Sequence, residues 1–247
     1  MTVQSSLYNT TENSFEKFLS YTNEKEILGA AVQAELKPSY KKLLDVGAGN
    51  GDLTRHIIDS FQRVVLLEPA EVLYKQLQTR FPQAQIVNAT LEDFSLTENF
   101  DFILASHVFI YISHIDQAIT KLFSNLNQEG KIVIIMLDNE SPYLKFITHF
   151  TPEVSQQKSS ALLPQWSDIV STLTTYAIRH TIKDVTSHIN CPSLQHFLDI
   201  NDFHFNQDVS SISESLLQKM REFLPKPNAN GTFSLEVGHK LIIIERR

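Results

Sequence analysis

Cysteine is almost absent: Cys191 is the only one in 247 residues. No disulfide can therefore close within the chain, and no paired-cysteine metal motif can be built. Basic charge is also short, with 21 Lys and Arg against 28 Asp and Glu and a formal net charge of -7. A surface of that sign repels a phosphate backbone, so nucleic acid is not an expected partner. Long apolar runs are missing as well. KIVIIML and KLIIIE fall far short of the roughly 20 residues that span a bilayer, and no membrane partner is expected. Met1 leads into polar TVQSSLYNTTENS rather than a basic and then apolar leader, which points to a cytoplasmic protein. His180, His188, His196 and His204 lack the i, i+4 spacing with an acid that a helical metal site uses, so no metal is expected. What remains is an ordinary globular composition, 42% hydrophobic and 20% charged, able to bury one large core.

The apolar residues set the fold class. FEKFLSYTNEKEILGAAVQAEL carries a helical rhythm broken near Tyr21 to Asn23, read as two short helices with a joint. From residue 43 onward, strand and helix patterns alternate. KLLDV, RVVLLE, AQIVN, DFILAS and GKIVIIML read as strands, and DLTRHIIDSF, AEVLYKQLQTRF and IDQAITKLFSNL as helices. Short strands apolar on both faces and separated by helices predict an α/β protein with a doubly wound, mostly parallel sheet. Beyond Asp138 the rhythm changes. SPYLKFITHF and WSDIVSTL read as helices flanking a polar loop at SQQKSS, TYAIRHTIKDV as a strand, SLQHFLDI and SISESLLQKMREFL as helices, KPNANG as a turn and HKLIIIERR as a closing strand. The expected organisation is a helical cap over residues 1–40, a cofactor-binding core over 41–138, and a helical lid with the final strands over 139–247, all in one structural domain.

Three of the chain's seven glycines fall within five residues, in LLDVGAGNGDLT. In a strand-turn-helix unit, glycine lets a ligand approach the main chain, and the helix start offers free amide donors. A dinucleotide turn is spaced G-x-G-x-x-G. Here Gly47, Gly49 and Gly51 are spaced G-x-G-x-G, Asp45 precedes them, and Asp52 follows where a pyrophosphate would meet a like charge. A cationic or ribose-bearing ligand fits this turn better. Glu68 ends the second strand about twenty residues on, where a carboxylate can take both hydroxyls of a ribose.

With these residues in place, the chain resembles the class I S-adenosylmethionine-dependent methyltransferases over roughly residues 40 to 140 and the last strand. The resemblance implies a Rossmann-like, seven-stranded sheet closed by an antiparallel last strand, with S-adenosylmethionine as cofactor. It also implies that Asp45, Gly47, Ala48, Gly49 and Gly51 meet the methionine part, that Glu68 and Pro69 lie at the ribose, and that Thr90, Leu91 and Glu92 in NATLEDF lie at the adenine, with Ser106 at the end of the fourth strand nearby. Thr90 stands where many members have Asp.

The acceptor must be argued from residues outside that core. FEKFLSYTNEKEIL resembles the start of histamine N-methyltransferase-like enzymes, as do LLEPA, SHVFIYISHIDQAITKLFSNL, GKIVIIML and the last strand. The resemblance implies that Glu24 anchors the amine of a small-molecule acceptor. His107 stands where the family has a ring-contacting glutamine, and Val237 or Glu236 where it has an asparagine. His107 and Tyr111, just past the fourth strand, are candidates to orient the acceptor or take its proton. Methyl transfer to nitrogen of an amine or imidazole is the leading expectation, by a monomer or homodimer. Several alternatives remain open. An O-methyltransferase would be favoured by Arg179 or Lys145 at the acceptor. A nicotinamide-dependent oxidoreductase is disfavoured by the early third glycine and Asp52. A cofactor-binding subunit without turnover is disfavoured by the intact Asp45, glycine turn and Glu68. For Glu24 the competing reading is a solvated helix face. For Trp166, Phe197, Phe203 and Phe205 it is core packing rather than a pocket wall.

Overall fold

A computed structural model describes residues 17–155, 164–201 and 212–246. Seven strands form one sheet in the order β3-β2-β1-β4-β5-β7-β6. They are β1 (Lys42–Val46), β2 (Arg63–Leu67), β3 (Gln85–Val87), β4 (Phe100–Ser106), β5 (Leu126–Leu137), β6 (His180–Cys191) and β7 (Phe233–Glu245). β1 runs parallel to β2 and β4, β2 to β3, and β4 to β5. β7 runs antiparallel to β5, from Lys131 opposite Glu245 to Leu137 opposite His239. This is the mostly parallel sheet with an antiparallel last strand that the alternating pattern and the resemblance imply. The chain winds outward from β1 in both directions, and ligands of such sheets bind beyond the carboxyl ends of the strands where the winding reverses, here between β1 and β4.

The helices are α1 (Glu24–Gln33), α2 (Glu71–Arg80), α3 (Ile115–Ser124), α4 (Pro142–Ser155), α5 (Trp166–Thr175), α6 (Leu194–Ile200) and α7 (Glu214–Phe223). Alternate strand residues are buried on opposite faces of the sheet. On one face Leu44, Val46, Ile103, Ala105 and Ile134 pack with Ala118, Ile119 and Leu122 of α3 and Ile169 and Leu173 of α5. On the other, Leu43, Leu66, Phe102, Leu104 and Ile135 pack with Leu28 and Val32 of α1 and Leu77 of α2.

Three expectations shift. DLTRHIIDSF forms two short 3-10 turns, Thr54–His56 and Ile58–Ser60, rather than one helix. Thr54, Ile57 and Ile58 are β-branched and poor helix formers, and the Thr54 hydroxyl donates to Asp45 Oδ2 at 2.6 Å, which ties this segment to β1. β6 starts at His180 and runs on to Cys191 rather than covering TYAIRHTIKDV. β7 begins six residues before the expected closing strand, at Phe233 rather than His239. SQQKSS lies almost wholly outside the described residues.

The chain divides into two compact units. The described residues of one are 17–24, 138–155, 186–201 and 212–238. Its core is aromatic: Phe146 meets Phe150 and Phe197 at ring-centroid distances of 4.8 and 5.0 Å, Phe197 also meets Phe233, and the Tyr143 hydroxyl donates to Asn201 Oδ1 at 2.8 Å. The described residues of the other are 25–137, 164–185 and 239–246. Within it, Glu35, just past α1, is buried with Lys131 of β5, whose ammonium donates to Glu35 Oε2 at 2.7 Å, and Lys183 of β6 reaches the same carboxylate. Burial pushes Glu35 toward protonation, but the two lysines more than reverse this and hold it below the usual carboxylate range.

Removing one partner of a buried ion pair leaves the other charge uncompensated. Glu35→Ala is expected to lower stability by about 3 kcal/mol in urea denaturation, and adding Lys131→Met should recover most of the loss. A Glu35→Ala loss below about 1 kcal/mol would mean that the pair is solvated.

Candidate active site

At the carboxyl end of β1 the chain turns through Gly47–Gly51. The turn is pinned to β2 by the Gly47 and Ala48 amides, both donating to the Leu67 carbonyl at 2.9 and 3.0 Å. Glu68 follows immediately. Its Oε2 accepts from the Gly49 amide at 2.8 Å and its Oε1 from the Ala70 amide at 2.9 Å. Each carboxylate oxygen has about two acceptor directions, so each keeps one for a hydroxyl. Burial raises the Glu68 pKa, and the two amide bonds act against it.

The glycines divide their work. Gly49 has φ +59°, and a Cβ built there would meet nothing within 4 Å, so the turn is open at that point. Gly51 is a packing glycine, because a Cβ there would lie 2.3 Å from Phe81 Cε2 and push α2 away. Val108, just past β4, sits against Gly47 and closes the loop after β4 onto the turn.

Asp45 on β1 is buried, with the Thr54 hydroxyl as its donor. Burial, reinforced by the charge of Glu68 and opposed by the Thr54 hydrogen bond, pushes its pKa up to about 7. A cation beside it would restore the carboxylate. Asp52 behaves differently. Burial raises its pKa, but Arg80 at 2.8 Å and the Asn50 side chain more than reverse that. Its charge is neutralised within the protein, so the case for a cationic or ribose-bearing ligand rests on Asp45 and Glu68 rather than on Asp52.

Beyond β3, the Asn88 side chain donates to the carbonyls of Glu68 and Pro69, both at 3.0 Å. Thr90 and Asp93 close a local turn, the Thr90 hydroxyl donating to Asp93 Oδ2 at 2.9 Å and accepting from the Asp93 amide at 3.2 Å. Thr90 therefore uses its side chain on the loop itself. Leu91 is buried in the core and Glu92 is exposed.

Beyond β4, the Ser106 hydroxyl is buried without a hydrogen-bond partner among the described residues. An unmet buried hydroxyl is costly, and a ligand can satisfy it. His107 takes φ 55°, a conformation uncommon for residues other than glycine, while its amide donates to the Ile135 carbonyl at 2.8 Å. Its ring lies 5.4 Å, centroid to centroid, from that of His239 on β7. His239 escapes a reading of motifs, because only the antiparallel register of β7 against β5 brings it to this end of the sheet. Tyr111, in a 3-10 turn over Phe109–Tyr111, is 41% exposed.

Glu24 belongs to the other unit and is 5% exposed, which replaces the solvated helix face with a buried carboxylate. Its amide donates to the Thr22 hydroxyl at 3.1 Å, and burial together with the Glu24 charge holds the Tyr143 phenol well above its usual pKa. Phe197 is core, packed among Tyr143, Phe146 and Phe233. Trp166 packs at the edge of the sheet core with the Lys240 ammonium 5.2 Å over its ring. His180 and His196 meet the Ile178 carbonyl and the Ser193 hydroxyl locally. Phe203, Phe205 and His204 lie outside the described residues.

The sheet order and the turn between β1 and β2 define a Rossmann-like methyltransferase fold. A family model described as a methyltransferase domain matches residues 44–132. An uncharacterized methyltransferase of Alkaliphilus oremlandii is 33% identical over 93 residues, 37% of this chain and 43% of its own length. One from Oceanobacillus iheyensis is 26% identical over 98 residues, 38% of this chain and 46% of its own. The chain thus spans less than half the length of the curated relatives it matches. Among solved structures, the YcgJ protein of Bacillus subtilis has a TM-score of 0.62 at 15% identity, covering 90% of this chain and 98% of that one. The plantazolicin methyltransferase BpumL, in complex with SAH, has a TM-score of 0.53 at 18% identity, covering 98% and 89%. At these identities the likeness is one of fold.

The donor set fits S-adenosylmethionine. Glu68 offers acceptors for ribose hydroxyls, the open turn at Gly49 lets a ligand reach the backbone, Asp45 suits a cationic group, and Ser106 has a hydroxyl to satisfy. Glu68→Ala is expected to weaken S-adenosylhomocysteine binding by about 3 kcal/mol, on the order of 100-fold by calorimetry, from the loss of two charge-assisted hydrogen bonds. Unchanged affinity would remove Glu68 from the ribose. In the free protein Asp45 is protonated below its pKa of about 7, whereas a bound cation needs the carboxylate. Affinity should therefore climb from about pH 5.5 toward 7, flatten above it, and be accompanied by proton release below it. Asp45→Asn should abolish both the slope and the buffer-dependent heat, and a slope that persists in the variant would assign it to another group.

Proposed function

We propose that the protein transfers a methyl group from S-adenosylmethionine to a nitrogen of a small amine or imidazole. The observation that carries the cofactor half is the buried Glu68 carboxylate, held by the Gly49 and Ala70 amides beside an open glycine turn. Bound S-adenosylmethionine supplies a sulfonium methyl, open to in-line attack by a lone pair. Asp45 balances positive charge, Glu68 fixes the ribose, and the loop at Thr90, Leu91 and Glu92 receives the adenine. An acceptor that arrives neutral needs positioning and water exclusion more than strong acid or base help.

On the acceptor side, His107 takes the proton released when nitrogen becomes methylated. Its place next to Val108, which lies against Gly47 of the turn, and its uncommon backbone conformation support this role. Tyr111, nearer the surface, is left to acceptor entry or orientation. Glu24 anchors the cationic part of the acceptor, as the resemblance to histamine N-methyltransferase-like enzymes suggests. Its burial sets aside the solvated helix face that competed with this reading. A carboxylate acceptor is less well supported. Lys145 pairs with Glu140 at 2.8 Å, and Arg179 is exposed.

Calorimetry with S-adenosylhomocysteine tests the cofactor, and a methyl-transfer screen of small amines, imidazoles, carboxylic acids and alcohols tests the acceptor. Glu24→Gln keeps size and removes charge, so kcat/KM for a cationic acceptor should fall about 10- to 100-fold, the effect of losing a hydrogen bond to a charged group. S-adenosylhomocysteine affinity should not move. Equal kinetics for variant and wild type, or turnover confined to acceptors without a cationic group, would transfer the assignment to an O-methyltransferase.

A further inference from the structure

The ammonium of Lys121, on the α3 helix, donates to the Leu91 carbonyl at 2.6 Å and to the Glu92 carbonyl at 3.2 Å. A half-buried lysine thus spends its charge on two successive carbonyls of the loop after β3, rather than on a carboxylate. The Leu91 side chain is buried in the core that holds Ala118, Ile119 and Leu122 of the same helix, so Leu91 is fixed at both its side chain and its carbonyl. A peptide unit is planar and trans, so its carbonyl and its N–H point in opposite directions. Holding the Leu91 carbonyl against Lys121 therefore turns the Glu92 N–H away from α3. The next unit is fixed in the same way: the Glu92 carbonyl faces Lys121, and the Asp93 N–H turns to the Thr90 hydroxyl at 3.2 Å. With Thr90 committed to Asp93, the clamp leaves the Glu92 N–H directed away from α3.

We propose that Lys121 is a positioning residue for base selectivity: by gripping two loop carbonyls from α3, it presents the Glu92 amide to the ring-nitrogen acceptor of adenine. The proposal rests on the cofactor reading above. Adenine offers an acceptor at the ring nitrogen where hypoxanthine carries a hydrogen, so a fixed N–H donor accepts the first and rejects the second. A loop that is merely present but free to rotate its peptides loses that discrimination while still covering the base.

The test compares S-adenosylhomocysteine with S-inosylhomocysteine by calorimetry on the full chain. The wild type is expected to prefer the adenine compound by more than about tenfold. Lys121→Met keeps the aliphatic stem and removes the donor. It should weaken the adenine compound about tenfold, leave the inosine compound within about twofold, and so collapse the preference, while Lys121→Arg, which retains donors, should restore most of it. Equal weakening of both compounds would reduce Lys121 to general support of the loop and overturn the proposal. So would an unchanged preference in Lys121→Met, or no preference in the wild type. A wild type that binds neither compound would instead overturn the cofactor reading itself.

Discussion

The Glu68 carboxylate is the interaction on which the site depends. It stands at the end of β2, yet its two oxygens are held by backbone amides on either side, one from the glycine turn after β1 and one from the start of α2. A carboxylate buried among apolar strands is unfavourable by itself, and the two charge-assisted hydrogen bonds offset part of that cost. The bond to Gly49 fixes the turn, and the turn in turn sets where Val108, and with it the chain that carries Ser106 and His107, comes to rest. A side chain of ordinary size at Gly51 would strike Phe81 and shift α2, whose first turn carries the other half of the Glu68 clamp. One buried acid thus ties together three segments that are separate in sequence.

Asp45 makes the free protein an electrostatically unsatisfied one. Its pKa is raised by burial, a shift that the Thr54 hydrogen bond offsets in part and the Glu68 charge adds to. With its pKa at about 7, Asp45 holds a proton in the folded chain between the usual carboxylate range and neutrality that the unfolded chain would release, and stability falls as pH rises through that window. The site is therefore built at a cost that a positively charged ligand relieves. Asp52, by contrast, carries its counter-ion with it in Arg80. Two acids flank the same turn, and of the two only Asp52 carries a basic partner in hydrogen-bond contact.

How much of this could be read in the sequence follows from the range of the interactions. The glycine turn, Asp45 and Glu68 are legible because strand, turn and helix are contiguous, and a strand's carboxyl end is marked by where its apolar run stops. The parallel order follows from the alternation of strands with helices. DLTRHIIDSF misleads because its apolar spacing suits a helix while its β-branched residues and the pull of Asp45 on Thr54 favour tight turns. In sequence Glu24 stands between an acceptor anchor and a solvated residue in NEKE, since burial depends on what packs against a helix and not on its neighbours in sequence. His239 is invisible for a sharper reason. Nothing within KLIIIERR says which residue of β5 it will oppose, and a register shift of one would send its ring to the other face of the sheet.

The same contrast separates the two halves of the proposed reaction. The cofactor half is set by backbone geometry: amides of the turn, carbonyls gripped by Lys121 and Asn88, a carboxylate fixed by main-chain donors. Main-chain geometry tolerates many side chains, which is why the match to a methyltransferase domain is confined to residues 44–132 while solved structures at 15% identity still share the fold. The acceptor half is argued from side chains: the His107 ring, aimed by a left-handed backbone and faced by His239, and the buried Glu24 carboxylate. Side-chain chemistry changes with a single substitution and leaves the sheet untouched. An acceptor is therefore specified where the fold constrains the sequence least, and its identity has to be sought in the chemistry of those few groups rather than in the architecture that carries them.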